Sequence, residues 1–164
     1  MRHDLHFDGP VWRLLPESLS ATPMIAAQAP EGRFHHSGQV AAYASLSAEG
    51  AFVAMRRYFD DGINRVLIPM WLKSDRVIDQ RGNARASVVW QDDRAAGKVS
   101  PTWAFSDAAR NVRAQAMLYS SRSRPELSHV VIFETECLSY IGPVTTFGPD
   151  KEFTAGHKYL ISEI

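Results

Sequence analysis

The stretch EGRFHHSGQVAAYASLSAEGA, Glu31 to Ala51, sets an arginine, two adjacent histidines, a tyrosine and a glutamate around a turn glycine. Arg33 follows Gly32 just before a turn, where a guanidinium can fork onto a phosphate or carboxylate. Tyr43 falls mid-strand and can stack on a flat ring while its hydroxyl finds a partner. Glu49 follows a helix cap at Ser47, so its carboxylate suits either the helix dipole or a cationic transition state. A second cluster, Tyr119-Ser120-Ser121-Arg122-Ser123-Arg124, offers hydroxyls and positive charge to a pyrophosphate. Each of these also has a plainer reading, as an exposed loop arginine, a core tyrosine, a helix-start acid or a polar loop.

His35-His36 lacks a third ligand at helical or hairpin spacing, so no metal site is expected; one imidazole packs and the other faces solvent. Cys137 reads as a small buried hydrophobe, since nothing beside it in sequence would activate a thiolate. There is no GxxxxGK[ST] loop and no GxGxxG after a strand, which argues against common nucleotide-binding loops.

The elements that must hold these residues are short. Val11–Leu15 reads as a first strand closed by Pro16, and residues 22–30 as irregular. Gln39–Ser45 reads as a strand entered through a turn at Ser37-Gly38. Ser47 then caps a helix with Phe52, Met55, Arg56 and Phe59 on one face, ended at Asp60-Asp61-Gly62. Asn64–Lys73 and Arg76–Asp79 read as two strands, and Asn83–Ala96 as a helix. Ser100-Pro101 opens a further helix with Phe105, Ala108, Ala109, Val112 and Ala116 on one face. Met117–Tyr119, Val130–Phe133 and Leu138–Phe147 are strands, the last interrupted near Gly142-Pro143. Strands and helices do not alternate strictly, so the expected class is α+β, a mixed and mostly antiparallel sheet with flanking helices.

With 164 residues, 45% of them apolar, the chain suits one domain over 1–164. A formal net charge of zero and no basic run give no argument for nucleic acid or an anionic membrane. No apolar stretch is long enough to span a bilayer, and the N-terminal MRHDLHFDGP has no signal-like core, so a cytoplasmic protein is expected.

Gly32-Arg33-Phe34-His35, Gly38, Ala42-Tyr43-Ala44-Ser45 and Glu49-Gly50-Ala51 together resemble the opening block of a RES domain. Trp12-Arg13, Val77-Ile78-Asp79, Met117 to Arg122 and Val130 to Phe133 fit later blocks of that family. The resemblance implies a fold similar to ADP-ribosyltransferases and the toxin role in a bacterial toxin–antitoxin pair. Its implied partner is an Xre-type helix-turn-helix antitoxin. It implies NAD as substrate, cleaved at the nicotinamide–ribose bond by water or inorganic phosphate. Transfer of ADP-ribose to a protein, or binding without catalysis, remain the alternatives. On this resemblance Arg33 grips the NAD phosphates or ribose, Tyr43 stacks on nicotinamide and Ser121 hydrogen-bonds the ligand. Glu49 is the matching acid, although many members place a Glu later in the helix, where this chain has Val53-Ala54-Met55.

Overall fold

A computed structural model describes residues 2–147, with side chains from 5 to 144. Its strands are β1 (Arg2–Pro16), β2 (Ala42–Ser45), β3 (Arg65–Asp79), β4 (Ala116–Ser120), β5 (Ser128–Ile132), β6 (Leu138–Tyr140) and β7 (Thr145–Phe147). The helices are α1 (Ala48–Met55), α2 (Gln91–Ala95) and α3 (Trp103–Asn111), with short 3-10 turns between them.

The strands run in the order β1-β2-β5-β4-β3-β6, and β3 also pairs back onto β1. The first five therefore close into a ring. Every pairing is antiparallel except β3 with β4, which confirms the mixed, mostly antiparallel α+β sheet expected from sequence. One buried cluster draws on all five ring strands, including Val11, Ala42, Ala44, Ile68, Leu118 and Val130. It forms the interior, and alanines on β2 and β4 let the ring close tightly around it. On the opposite face Tyr43, Met117 and Val131 alternate with those positions and pack with Phe34 and Phe105.

Two strands are longer than their sequence suggests. β1 runs well past Val11–Leu15 in the N-terminal direction, and Pro16 stays in the ladder opposite Arg65. The runs read as separate strands, Asn64–Lys73 and Arg76–Asp79, are one strand, β3. Its partners change along its length, from β7 and β6 to β4, and this hides the continuity from a local reading.

The segment Asn83–Ala96 is not one helix. A 3-10 turn at Ala84–Ser87 and α2 flank an irregular Val88-Val89. In α3 the buried residues are Trp103, Ser106 and Ala109, while Ala108 and Val112 are exposed and Ala116 already belongs to β4. The Ser106 hydroxyl donates to Trp103 O at 3.2 Å, which satisfies a buried polar group that hydropathy places outside.

Other local expectations hold in part: β2 starts at Ala42 instead of Gln39, the helix after Ser47 gives way to a 3-10 turn at Arg56, and α3 starts at Trp103, past Ser100-Pro101. Ser47 Oγ accepts the Gly50 N–H at 3.0 Å and caps α1. Gly62 ends the following 3-10 turn at φ 73°, a left-handed value that glycine takes without a Cβ clash. Phe52 and Phe59 meet with ring centroids 5.2 Å apart. The break between β6 and β7 falls at Gly142-Pro143.

Candidate functional site

β1 and β2 touch in the ladder at a single pair, Trp12 opposite Ser45. Beyond that pair they splay, and carbonyls of β2 and of the residue before it find other donors. Arg13 Nε donates to Tyr43 O at 3.0 Å, and Ala27 N–H donates to Ala41 O at 2.7 Å. The Arg13 guanidinium also donates to Pro23 O and Ile25 O, at 2.6 and 2.8 Å, so one buried arginine fastens the irregular 22–30 segment to β2. Burial lowers its pKa to about 10.

The splay leaves a cavity of about 500 Å³ between β1, β2, α1 and residues 25–29. Trp12, Ser45, His129 and Tyr119, consecutive cross-strand neighbours on β1, β2, β5 and β4, all line it. Tyr43 joins this row from one step along β2, and Ala51, Ala54 and Met55 of α1 form a wall.

Apart from the Arg13 guanidinium, which is committed to three carbonyls, the polar side chains of the lining are uncharged. Ser45 Oγ lies 2.7 Å from His129 Nδ1. Burial, with Arg33 adding to it, lowers the His129 pKa to about 4. Burial raises the Tyr119 hydroxyl to about 12, against the opposing pull of Arg33, and drives Tyr43 well above the ordinary phenol range. The Tyr43 hydroxyl is already engaged: it accepts the Phe34 N–H at 2.9 Å and meets His35 Nδ1 at 2.8 Å. Its ring faces the cavity while its oxygen holds the neighbouring turn.

That turn is Gly32-Arg33-Phe34-His35, closed by a Gly32 N–H to His35 O bond of 2.9 Å. A Cβ on Gly32 would lie 2.3 Å from His35 Cε1 and 2.9 Å from the Tyr43 hydroxyl, so only glycine fits this approach. Trp103 Nε1 donates to Gly32 O at 2.8 Å, and Thr102 Oγ1 donates to Arg33 O. His35 is buried, with Nε2 bonded to Ala29 O, while His36 stacks on Trp103 and pairs with Asp107 at 3.0 Å. One histidine packs and the other lies nearer the surface, and no group of three metal-ligating side chains forms among the described residues. Much of the polar opening stretch therefore anchors one turn to α3.

The turn brings Arg33 within electrostatic reach of Tyr43, Tyr119 and His129. Its Nη1 donates to Val88 O at 2.6 Å. Burial pushes its pKa down, Tyr119 and Tyr43 oppose this, and the positive charges of Arg122 and Arg57 add to the lowering. Arg57 and Arg122 are exposed and have no carboxylate partner among the described residues. Arg33, within electrostatic reach of the floor tyrosines, thus gathers two further guanidiniums near it, an arrangement suited to a ligand with an anionic part and an uncharged flat part.

Of the residues singled out in sequence, Tyr43 lines the cavity, whereas Arg33, Glu49 and Ser121 lie outside its lining. Arg33 remains within electrostatic reach of Tyr43, Tyr119 and His129. Glu49 is exposed on the first turn of α1 and pairs with Arg124 at 3.2 Å. Ser121 is buried, and its Oγ accepts the Arg124 N–H at 3.3 Å within the loop. Arg124 thus links Glu49 to the Ser121 loop, and it also pairs with Glu126. Among the described residues, no aspartate or glutamate lines the cavity.

Sequence reasoning missed Ser45 and His129 as site residues and left Arg57 aside. His129 carried a signal, because it sits two positions before buried Val131 and so shares that residue's face. Arg57 carried none.

The sequence profile of the RES domain matches residues 10–153. The chain belongs to the RES domain family. Among solved structures, this RES domain is similar to a chain of the M. tuberculosis MbcT-MbcA toxin–antitoxin complex. The TM-score is 0.67 at 17% identity, covering 98% of this chain and 92% of that one. That likeness is one of fold. No curated protein matches the chain. No helix among the described residues is long and apolar enough to cross a membrane.

Proposed function

We propose that this RES domain is the toxin half of a toxin–antitoxin pair and cleaves the nicotinamide–ribose bond of NAD. The observation that carries the reading is an aromatic floor within electrostatic reach of Arg33, which gathers Arg57 and Arg122, none of the three with a carboxylate partner among the described residues. NAD has the matching division, a flat nicotinamide ring at one end and a pyrophosphate in the middle. Arg33, with Arg57 and Arg122, takes the pyrophosphate; Tyr43 takes the ring; the Ser121 loop closes the phosphate side.

Departing nicotinamide leaves a ribose with oxocarbenium character, which a nearby carboxylate stabilises. Glu49, outside the cavity lining and paired with Arg124, is the acid the family resemblance assigns that part. Nicotinamide is a cationic group in NAD and leaves neutral, so no general acid is required. Water or inorganic phosphate needs only to be positioned. The family resemblance supports an Xre-type antitoxin as partner, an ADP-ribosyltransferase-like ancestry for the fold and a cytoplasmic site of action.

The carboxylate-free lining of the cavity favours a second reading, a RES-like module that holds the ligand without cleaving it. Purified protein incubated with NAD, with and without phosphate, separates the two when nicotinamide and ADP-ribose products are followed by chromatography. Under the enzymatic reading nicotinamide appears, and Glu49→Gln lowers its rate about 100–1000-fold without shifting the melting temperature. Release that survives Glu49→Gln removes Glu49 from the mechanism. No release from folded, antitoxin-free protein, with NAD still bound, selects the binding module. In that case Ala54→Glu, which adds a carboxylate to the cavity wall, is the variant expected to gain turnover.

A further inference from the structure

Ser45 and His129 are cross-strand neighbours whose Oγ and Nδ1 lie 2.7 Å apart. Both are buried and line the cavity, and Tyr119 stands opposite His129 on the next strand. In such a bond the direction of donation fixes the imidazole tautomer. Either tautomer leaves one hydrogen of the pair without an acceptor among the described residues, the Ser45 hydroxyl's when Nδ1–H donates and the one on Nε2 when Ser45 donates. With Ser45 donating to Nδ1, the ring hydrogen of His129 sits on Nε2.

His35 shows the same logic completed. The Tyr43 hydroxyl accepts the Phe34 N–H and gives its own hydrogen to His35 Nδ1, and His35 Nε2–H donates to Ala29 O at 2.8 Å. No carbonyl plays that part for His129. Neither its Nε2 nor the Tyr119 hydroxyl has a protein partner among the described residues. Nor is either sealed away, since the buried side-chain atoms without a partner are Arg65 Nε and Gln91 Oε1. In that tautomer two cavity-lining residues on adjacent strands each carry a donor that no protein group among the described residues engages.

We infer that His129 Nε2–H and Tyr119 O–H together hold the carbonyl oxygen of a flat, uncharged ligand group, with Ser45 as the positioning residue that fixes the imidazole. Resting on the function proposed above, the inference names the carboxamide of nicotinamide as that group and places the nicotinamide end of the ligand on this floor. The two donors come from adjacent paired strands, so the oxygen they select is placed relative to the Tyr43 ring. A ligand without an oxygen acceptor leaves both donors unpaired, which penalises it.

Nicotinamide and 3-methylpyridine, which keeps the ring but lacks the carbonyl, are the probes. Calorimetry is expected to show nicotinamide binding about tenfold more tightly. Tyr119→Phe and Ser45→Ala each narrow that gap, Tyr119→Phe partly by removing a donor that 3-methylpyridine leaves unpaired, and Ser45→Thr, which keeps the hydroxyl, restores it. Nitrogen chemical shifts report His129 as the Nε2–H form in the wild type and as a mixture in Ser45→Ala. Melting curves check that each variant folds.

Equal binding of the two probes, no binding of nicotinamide, or an Nδ1–H tautomer in the wild type overturns the inference. So does an ADP-ribosyl group found on Ser45 after incubation with NAD, because His129 would then serve as a base for a seryl nucleophile. Carbonyl selectivity is read without turnover. Selectivity present with NAD uncleaved therefore defeats the enzymatic reading alone, and cleavage without selectivity defeats this inference alone.

Discussion

Trp12, Tyr43, Ser45, Tyr119 and His129 build a floor on paired strands, and none of its polar groups is charged at neutral pH. A short distance away Arg33, Arg57 and Arg122 gather like charges without carboxylate partners among the described residues. Both regions obey the same rule of solvation. Where water is excluded, the ionised form of imidazole or phenol is too costly and the groups stay neutral. At the edge, solvent supports the guanidiniums, and only Arg33 reaches inward, with a backbone carbonyl to receive it. The cavity is therefore polarised by depth, and a ligand that fits must be polarised the same way.

The strongest way to break the floor is to unfasten its side wall. Arg13→Met removes the donor to three carbonyls in the splayed seam and is expected to cost on the order of 3 kcal/mol, read by urea unfolding. A loss much smaller than this would mean that water satisfies those carbonyls.

The neutrality of the floor is tested by pH. The folded pKa of His129, about 4, lies below its ordinary value of 6.5. Between those values the unfolded chain takes up a proton that the folded chain refuses, so stability rises with pH across the window. It falls as pH drops from 6.5 toward 4, by up to roughly 3 kcal/mol. His129→Gln should flatten that part of the stability profile. A profile with unchanged slope would show that His129 charges without penalty and that the floor is wetter than its burial implies.

The three guanidiniums carry smaller and graded effects. Arg33→Ala is expected to weaken NAD binding by about 30–100-fold, since Arg33 is the guanidinium held nearest the floor. Arg57→Ala and Arg122→Ala should each cost about three- to fivefold, more at low salt than at high salt. If the exposed pair matters as much as Arg33, the anion lies farther from the floor than the comparison places it.

The cap at Ser47, the stop at Gly62, the break at Gly142-Pro143 and most strands were legible because short-range rules govern them: side-chain caps, left-handed glycine and alternating hydropathy. The Gly-Arg-aromatic turn was legible too, and the need for Gly32 has its reason in the His35 ring lying against it. The continuity of β3 was hidden, because no local pattern records a change of partner along a strand. The buried face of α3 was misplaced for a related reason, since Ser106 is buried by virtue of a bond to its own helix.

The amino-acid sequence by itself determined the α+β class, the family and the placing of Arg33 and Tyr43 around one turn, since neighbours in the chain decide these. Only the tertiary structure decided that Ser45, His129 and Tyr119 stand side by side on three strands, and that Glu49 turns to Arg124 instead of the cavity. Strand register and the closure of the sheet set those contacts. Both come from pairing residues far apart in the chain, and the energy that selects the pairing is spread over the whole buried interior.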